Sequence, residues 1–182
     1  MPVIGSERLA ARWRIAVWGG AALLLFLPLV AMQFTTEVAW TGSDFLVFGV
    51  MLTILCGGVE LAVRMSRRRA YRAASGIALV AGFLLVWMNL AVGIIGSEEN
   101  PLNLMYGGVL VVGLLGALLA RFRPAGMVRT MAAMAAAQVV VAAVAQAAGH
   151  FTWVLTAVFV AAWLASAWLY RKAARDLDAA VT

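Results

Sequence analysis

The chain has 182 residues, 65% of them hydrophobic and only 12% charged, with a mean hydropathy of +0.97; soluble domains carry roughly 25% charged residues, so a water-soluble core does not account for this composition. At roughly 20 residues per span the length holds about six membrane-crossing helices and leaves no room for a separate soluble domain. The formal charge of +6 is not read as nucleic-acid binding, because cations beside apolar spans set topology and meet anionic headgroups. The single cysteine, Cys56, lies within an apolar run and leaves no disulfide, CxxC pair or cysteine-rich metal site within the chain.

Residues 1–14 carry Arg8, Arg12 and Arg14, and the stretch from Ile15 to Met32 is apolar throughout. It exceeds the roughly 7–15 residues of a signal-peptide core, and Val30-Ala31-Met32-Gln33 lacks a small-x-small cleavage pattern, so an uncleaved first helix over about 15–33 is expected. Pro28 lies in its last third, where a local kink is tolerable. Thr41-Gly42-Ser43-Asp44 supplies cap-type residues for a second helix over about 44–64, in which Gly49, Thr53 and Gly57 form a strip of small residues at every fourth position.

The basic run MSRRRAYR, 65–72, precedes a third helix over about 74–95 with a small strip at Ala74, Ala78 and Gly82. Gly96 is read as its left-handed end, and Asn100-Pro101 as the cap and first position of a fourth helix over about 101–120 that carries Gly107, Gly108, Gly113 and Gly116. After Arg121-Phe122-Arg123-Pro124 comes a fifth helix, about 126–148, rich in alanine and poor in bulky side chains. Such a helix is a poor lipid-facing element and is placed near the centre of the bundle. The sixth, about 152–171, has Trp153 near one end and Trp163, Trp168 and Tyr170 towards the other, as interfacial anchors would lie. Residues 173–182 read as a short cytoplasmic tail. The fold class is all-α: an integral membrane bundle of six transmembrane helices in three hairpins.

With six spans the connections alternate sides, and all 14 Lys and Arg fall towards one of them: the N-terminus, the second and fourth connections and the C-terminus. The other side carries Glu37, Asp44, Glu98 and Glu99. The positive-inside rule then puts both termini in the cytoplasm.

The run NLAVGIIGSEENPLNLMYGGVLVVGLLGALLARFRPAGM, with LVAMQFTTEVAW upstream and AYRAASGIALVAGFLLVWMNLAV between, resembles an uncharacterised family of small multi-pass bacterial inner-membrane proteins over roughly residues 20–150. The resemblance implies a bacterial cytoplasmic membrane and brings no activity, ligand or functional residue with it.

Glu60 lies within the apolar run of the second helix, where a carboxylate marks an ion or proton path by default, but Arg64 stands one turn on in the favourable acid-before-base order. A local Glu60–Arg64 pair is therefore expected. Asn89, Asn103 and Tyr106 lie around the 96–101 turn, and Gln138 and Gln146 are eight residues apart on the fifth helix, read as roughly one face; together these five are the candidate polar pocket. An unpaired amide is costly in hydrocarbon, so interhelical hydrogen bonding is the first expectation for them and an outward vestibule the second. His150 is the single histidine, and no GxSxG, HExxH or P-loop pattern occurs. No catalytic residue, cofactor or metal ligand is expected. The expected role is that of a non-enzymatic accessory or interaction protein, with a small transporter or channel as the alternative. The expected partners are anionic phospholipid at the cytoplasmic face, at roughly 1 kcal/mol per well-placed cation, and a membrane protein or a second copy of the chain.

Overall fold

In the computed structural model the backbone is described for residues 4–179 and the side chains for 12–177 and Ala179; the side chain of Arg8 and the end of the expected tail, 180–182, lie outside the described residues. The chain is all-helical: α1 Ile4–Ala31, α2 Gly42–Met65, α3 Arg69–Ala91, α4 Leu104–Leu119, α5 Pro124–Ala147 and α6 Trp153–Asp178, with a 3-10 turn at Pro101–Asn103. All six helices are long and apolar enough to cross a membrane. The protein is a multi-pass membrane protein.

The chain forms two compact units, Met1–Leu61 and Ala62–Thr182. In the first, α1 and α2 run antiparallel. Leu25 meets Gly49, the Cys56 thiol faces the Val17 carbonyl at 3.9 Å and the Arg14 guanidinium reaches Glu60 at 2.7 Å. Eleven residues back along α1 thus match eleven forward along α2, which fixes one register over about 16 Å of helix. The start of α2 is set by Thr41, whose N–H and hydroxyl both donate to the Asp44 carboxylate at 2.7 Å. Trp40 packs edge-on against Phe45 and Phe48, one turn apart on α2. The small strip of α2 brings no backbone close at Gly57, around which a Cβ would meet nothing, and Thr53 bonds the Gly49 carbonyl of its own helix.

The second unit holds the core. α5 packs against α4 on one side and α6 on the other, and α3 lies along α6. Its apolar stretch is 44% buried, against 22% for α3 and α4, in keeping with a helix too poor in bulky side chains to face lipid. Met127, Met131 and Met134 form the buried seam, flexible side chains that fill irregular gaps. Here the glycines of α4 do permit a close crossing: a Cβ at Gly113 would stand 2.6 Å from the Met134 sulfur, and one at Gly116 2.6 Å from Thr130 Cγ2. α3 and α6 are joined by Ser75 to Tyr170 at 2.8 Å and by Ser166 donating to the Ala74 carbonyl at 2.9 Å, with Tyr71 edge-on to Tyr170. Tyr71 also donates to the Phe122 carbonyl at 3.0 Å, and Arg72 donates to the Ser66 and Val63 carbonyls that end α2.

Three expectations are corrected. α3 ends at Ala91, not near residue 95, and Gly93 rather than Gly96 is the first left-handed residue after it, although Gly96 also has positive φ. α6 continues to Asp178 through the stretch read as a tail. Trp163 and Tyr170 are core residues rather than interfacial anchors, being fully buried, while Trp153 and Trp168 are exposed. The reason is helical register: Phe159, Trp163, Ser166 and Tyr170 recur at three- and four-residue steps and share the face turned to α3 and α5.

A Cβ at Gly93 would strike the backbone of Ser97, whereas one at Gly107 would meet nothing. Gly93→Ala should therefore cost at least about 2 kcal/mol, from the left-handed conformation and the clash, while Gly107→Ala should be neutral or stabilising by up to about 1 kcal/mol. Thermal unfolding of the two variants in detergent checks the contrast.

Candidate functional site

The polar residues singled out from the sequence differ in burial and in the partners they find. Asn103 is buried, and its whole amide is spent on the 92–100 connection. Oδ1 accepts from the Ile94 and Ile95 N–H groups at 3.1 and 2.9 Å, and Nδ2 donates to the Ser97 carbonyl at 2.7 Å and the Ile95 carbonyl at 3.4 Å. Ile94 and Ile95 are themselves buried, Ile95 completely. The buried N–H groups of Ile94 and Ile95 lie outside any helix and need a partner from the protein, and one asparagine supplies it. Asn100 accepts from Leu102 N–H at 3.0 Å and caps the 3-10 turn that Pro101 opens, as the sequence suggests.

Asn89 donates to the Leu85 carbonyl one turn back on its own helix at 2.7 Å, and its Oδ1 is buried without a partner. Tyr106 is buried with its phenol beside the Thr152 and Thr156 hydroxyls, but none of the three closes a hydrogen bond of good geometry. Fourteen residues forward along α3 from Ser75 and fourteen back along α6 from its partner Tyr170 bring Asn89 level with Thr156. Four buried polar atoms with open valences thus belong to the end of the second unit that carries the 92–100 loop.

Gln138 is buried and its Oε1 has no partner; the same is true of the Trp163 indole N–H. The two lie nine residues before the end of α5 and ten after the start of α6, each about 14 Å deep. Gln146 is exposed. Eight residues advance about 80° beyond two full turns, enough to carry Gln146 off the arc that buries Gln138, Val141, Ala142 and Ala145. His150 packs beside Gly96, 3.1 Å from where a Cβ would stand, so the two loops at this end touch.

Glu60 is largely buried and pairs with Arg14, a cation that sequence spacing along α2 does not reveal because it comes from α1. Arg14 stays about half exposed while Glu60 is mostly buried, so the pair spares the carboxylate an unpaired burial. Among the described residues no group of three His, Cys, Asp or Glu side chains is placed to hold a metal ion. Sequence reasoning passed over Thr152, Thr156, Ser166 and Tyr71. The signal was present in α6, where Thr152, Thr156, Phe159, Trp163, Ser166 and Tyr170 trace one helical face.

Asn103→Ala should lower stability by about 2–4 kcal/mol, because it leaves two amides of a buried segment unmet, while Asn89→Leu, which removes a bond internal to one helix, should cost under about 1 kcal/mol; melting temperatures in detergent rank the two. Arg14→Ala and Glu60→Ala should be non-additive, the double variant losing less than the sum of the singles, as a double-mutant cycle will show.

No family model matches the chain, and no curated protein and no solved structure matches it.

Proposed function

We propose that this chain is a non-enzymatic accessory or interaction protein of the bacterial inner membrane, inserted with both termini in the cytoplasm. The observation that carries the reading is the use made of Asn103. The most versatile polar side chain near the loop end is consumed by the protein's own backbone rather than held ready for a ligand. Ser75, Ser166, Tyr71 and Arg72 are likewise spent on joining or capping helices. In hydrocarbon such bonds hold a bundle together, because apolar helices gain little by burying apolar surface against one another. The orientation rests on the arginines: Arg12 and Arg14, Arg67 to Arg69, Arg121 and Arg123, and Arg171 to Arg175 flank alternate crossings on one side, and Glu37, Glu98 and Glu99 occupy the other. The partners of such a protein are anionic phospholipid on the basic side and a membrane protein or a second copy.

A second reading, a small transporter or channel, is favoured by one observation, the open hydrogen-bonding groups of Asn89, Tyr106, Thr152 and Thr156 near the loop end. Polar atoms without partners at that depth are what a wetted vestibule would present.

Two measurements decide. Reporter fusions at Glu98 and Thr182 should report periplasm and cytoplasm respectively; the reverse pattern sinks the orientation. The folded protein in liposomes should show no ion or solute flux above empty vesicles, and a flux that falls in Tyr106→Phe and Thr156→Val would replace the accessory reading with the second one.

A further inference from the structure

At the arginine end of the second unit, the first turns of α3 and the last turns of α6 flank an open, shallow cavity of about 380 Å3. Arg68, Arg69 and Lys172 form its polar side together with Asp176, and Ala70, Ala73 and Leu169 form its apolar wall. We infer that this cavity seats the phosphate of an anionic phospholipid headgroup; the inference rests on the proposed meeting of this end with anionic lipid and gives that meeting a particular place.

Three features carry it. The first is uncommitted charge: none of Arg68, Arg69 and Lys172 is in an ion pair with a described residue, whereas the neighbouring Arg72 is held on the carbonyls that end α2. Three cations stand against one carboxylate.

The second is backbone polarity. Arg68 is the N-cap of α3 in extended conformation and its side chain makes no capping bond, so the first N–H groups of α3, beside the Arg68 and Arg69 wall, have no partner in the helix. A helix N-terminus flanked by guanidinium groups favours a phosphate oxygen, which takes both dipole and charge.

The third is the order of polar and apolar groups. Ala73 and Leu169 lie about one turn further into their spans than Arg69 and Lys172. A ligand that fills the site is anionic at the membrane surface and apolar one turn deeper. Free phosphate satisfies only the first half of that description, and a phospholipid satisfies both. Basic pockets between helix ends are a recurrent means of holding such headgroups. Asp176 offers an acceptor for a hydroxyl on the headgroup, which suits a glycerol-bearing phosphodiester.

The test uses the full-length protein purified in detergent, with phosphatidylglycerol, phosphatidylcholine and inorganic phosphate as probes, binding being read by native mass spectrometry and by the shift in melting temperature. Phosphatidylglycerol should bind saturably and raise the melting temperature, phosphatidylcholine should not, and inorganic phosphate should neither stabilise nor compete at the same concentration. Arg69→Gln with Lys172→Gln should weaken phosphatidylglycerol binding about tenfold or more, while Arg171→Gln, on the same turn but outside the cavity wall, should leave it unchanged. If Arg171→Gln weakens binding as much as Lys172→Gln does, the basic face attracts lipid diffusely and the cavity has no special part. Equal competition by inorganic phosphate overturns the lipid in favour of a soluble anion. Equal binding of the two lipids sinks both the cavity and the broader expectation of anionic lipid at this end.

Discussion

A chain that leaves helical conformation among apolar helices must satisfy its amides from within, and in this protein that constraint falls on Asn103. Its carboxamide accepts from two successive N–H groups, of Ile94 and Ile95, and returns its own N–H groups to the carbonyls of Ile95 and Ser97. Only one orientation of the amide satisfies all four. With those bonds made, two isoleucines are buried on a connection that would otherwise have to stay in water, and Gly93 can turn back against Ser97. The fourth helix can then begin directly at Pro101, whose missing N–H costs nothing there. Because α3 and α4 touch little along their lengths, this knot holds much of what joins them.

The six spans were legible because hydropathy measures what the bilayer selects: runs of about 20 apolar residues between arginines and turn-formers. The end of α3 was not. Val92, Ile94 and Ile95 continue the apolar pattern past the last helical residue, Ala91, and hydropathy does not separate a buried loop from a helix. Gly93 was the available signal, since a glycine followed by a second glycine three residues on allows two left-handed turns. The candidate site was read less well for a related reason. Asn89, Asn103, Tyr106 and Gln138 were recognised as polar residues in apolar surroundings, but which of them share a partner depends on which helices touch. The sequence pairs α3 with α4 as neighbours in the chain, whereas the fold sets α3 on α6 and α4 on α5.

Glu60 in the first unit has a partner that spacing along its own helix does not reveal. Along α2 the nearest cation is Arg64, so spacing assigns the carboxylate a local partner; across the hairpin, Arg14 reaches it at 2.7 Å. The contact also explains why α1 and α2 keep one register although Gly57 makes no close approach. Leu25 against Gly49 and the Arg14–Glu60 pair lie eleven residues apart on each helix and agree on one register. Small-residue strips therefore carried unequal information. On α4 they mark where α5 comes close, and on α2 the strip is only partly used.

Structural cement and ligand site are built from the same residue types in a membrane, and partner number is what separates them. The buried face of α6 contains both conditions. Towards the arginine end Ser166 and Tyr170 find a carbonyl and a hydroxyl on α3, and every such bond ties two helices together. Towards the other end the same face presents Thr156 and Thr152, but α4 offers a phenol in poor geometry and Asn89, which donates to Leu85, leaves its Oδ1 unmet. An unmet hydroxyl in hydrocarbon is destabilising by more than a good hydrogen bond contributes. Such groups persist most cheaply close to a boundary where water reaches them. The unmet hydroxyls lie within about one turn of the start of α6, whereas the satisfied pair lies far down the helix. That asymmetry sets the hydroxyls of the loop end apart from the satisfied pair, while Gln138 and Trp163 keep unmet groups deeper in the second unit.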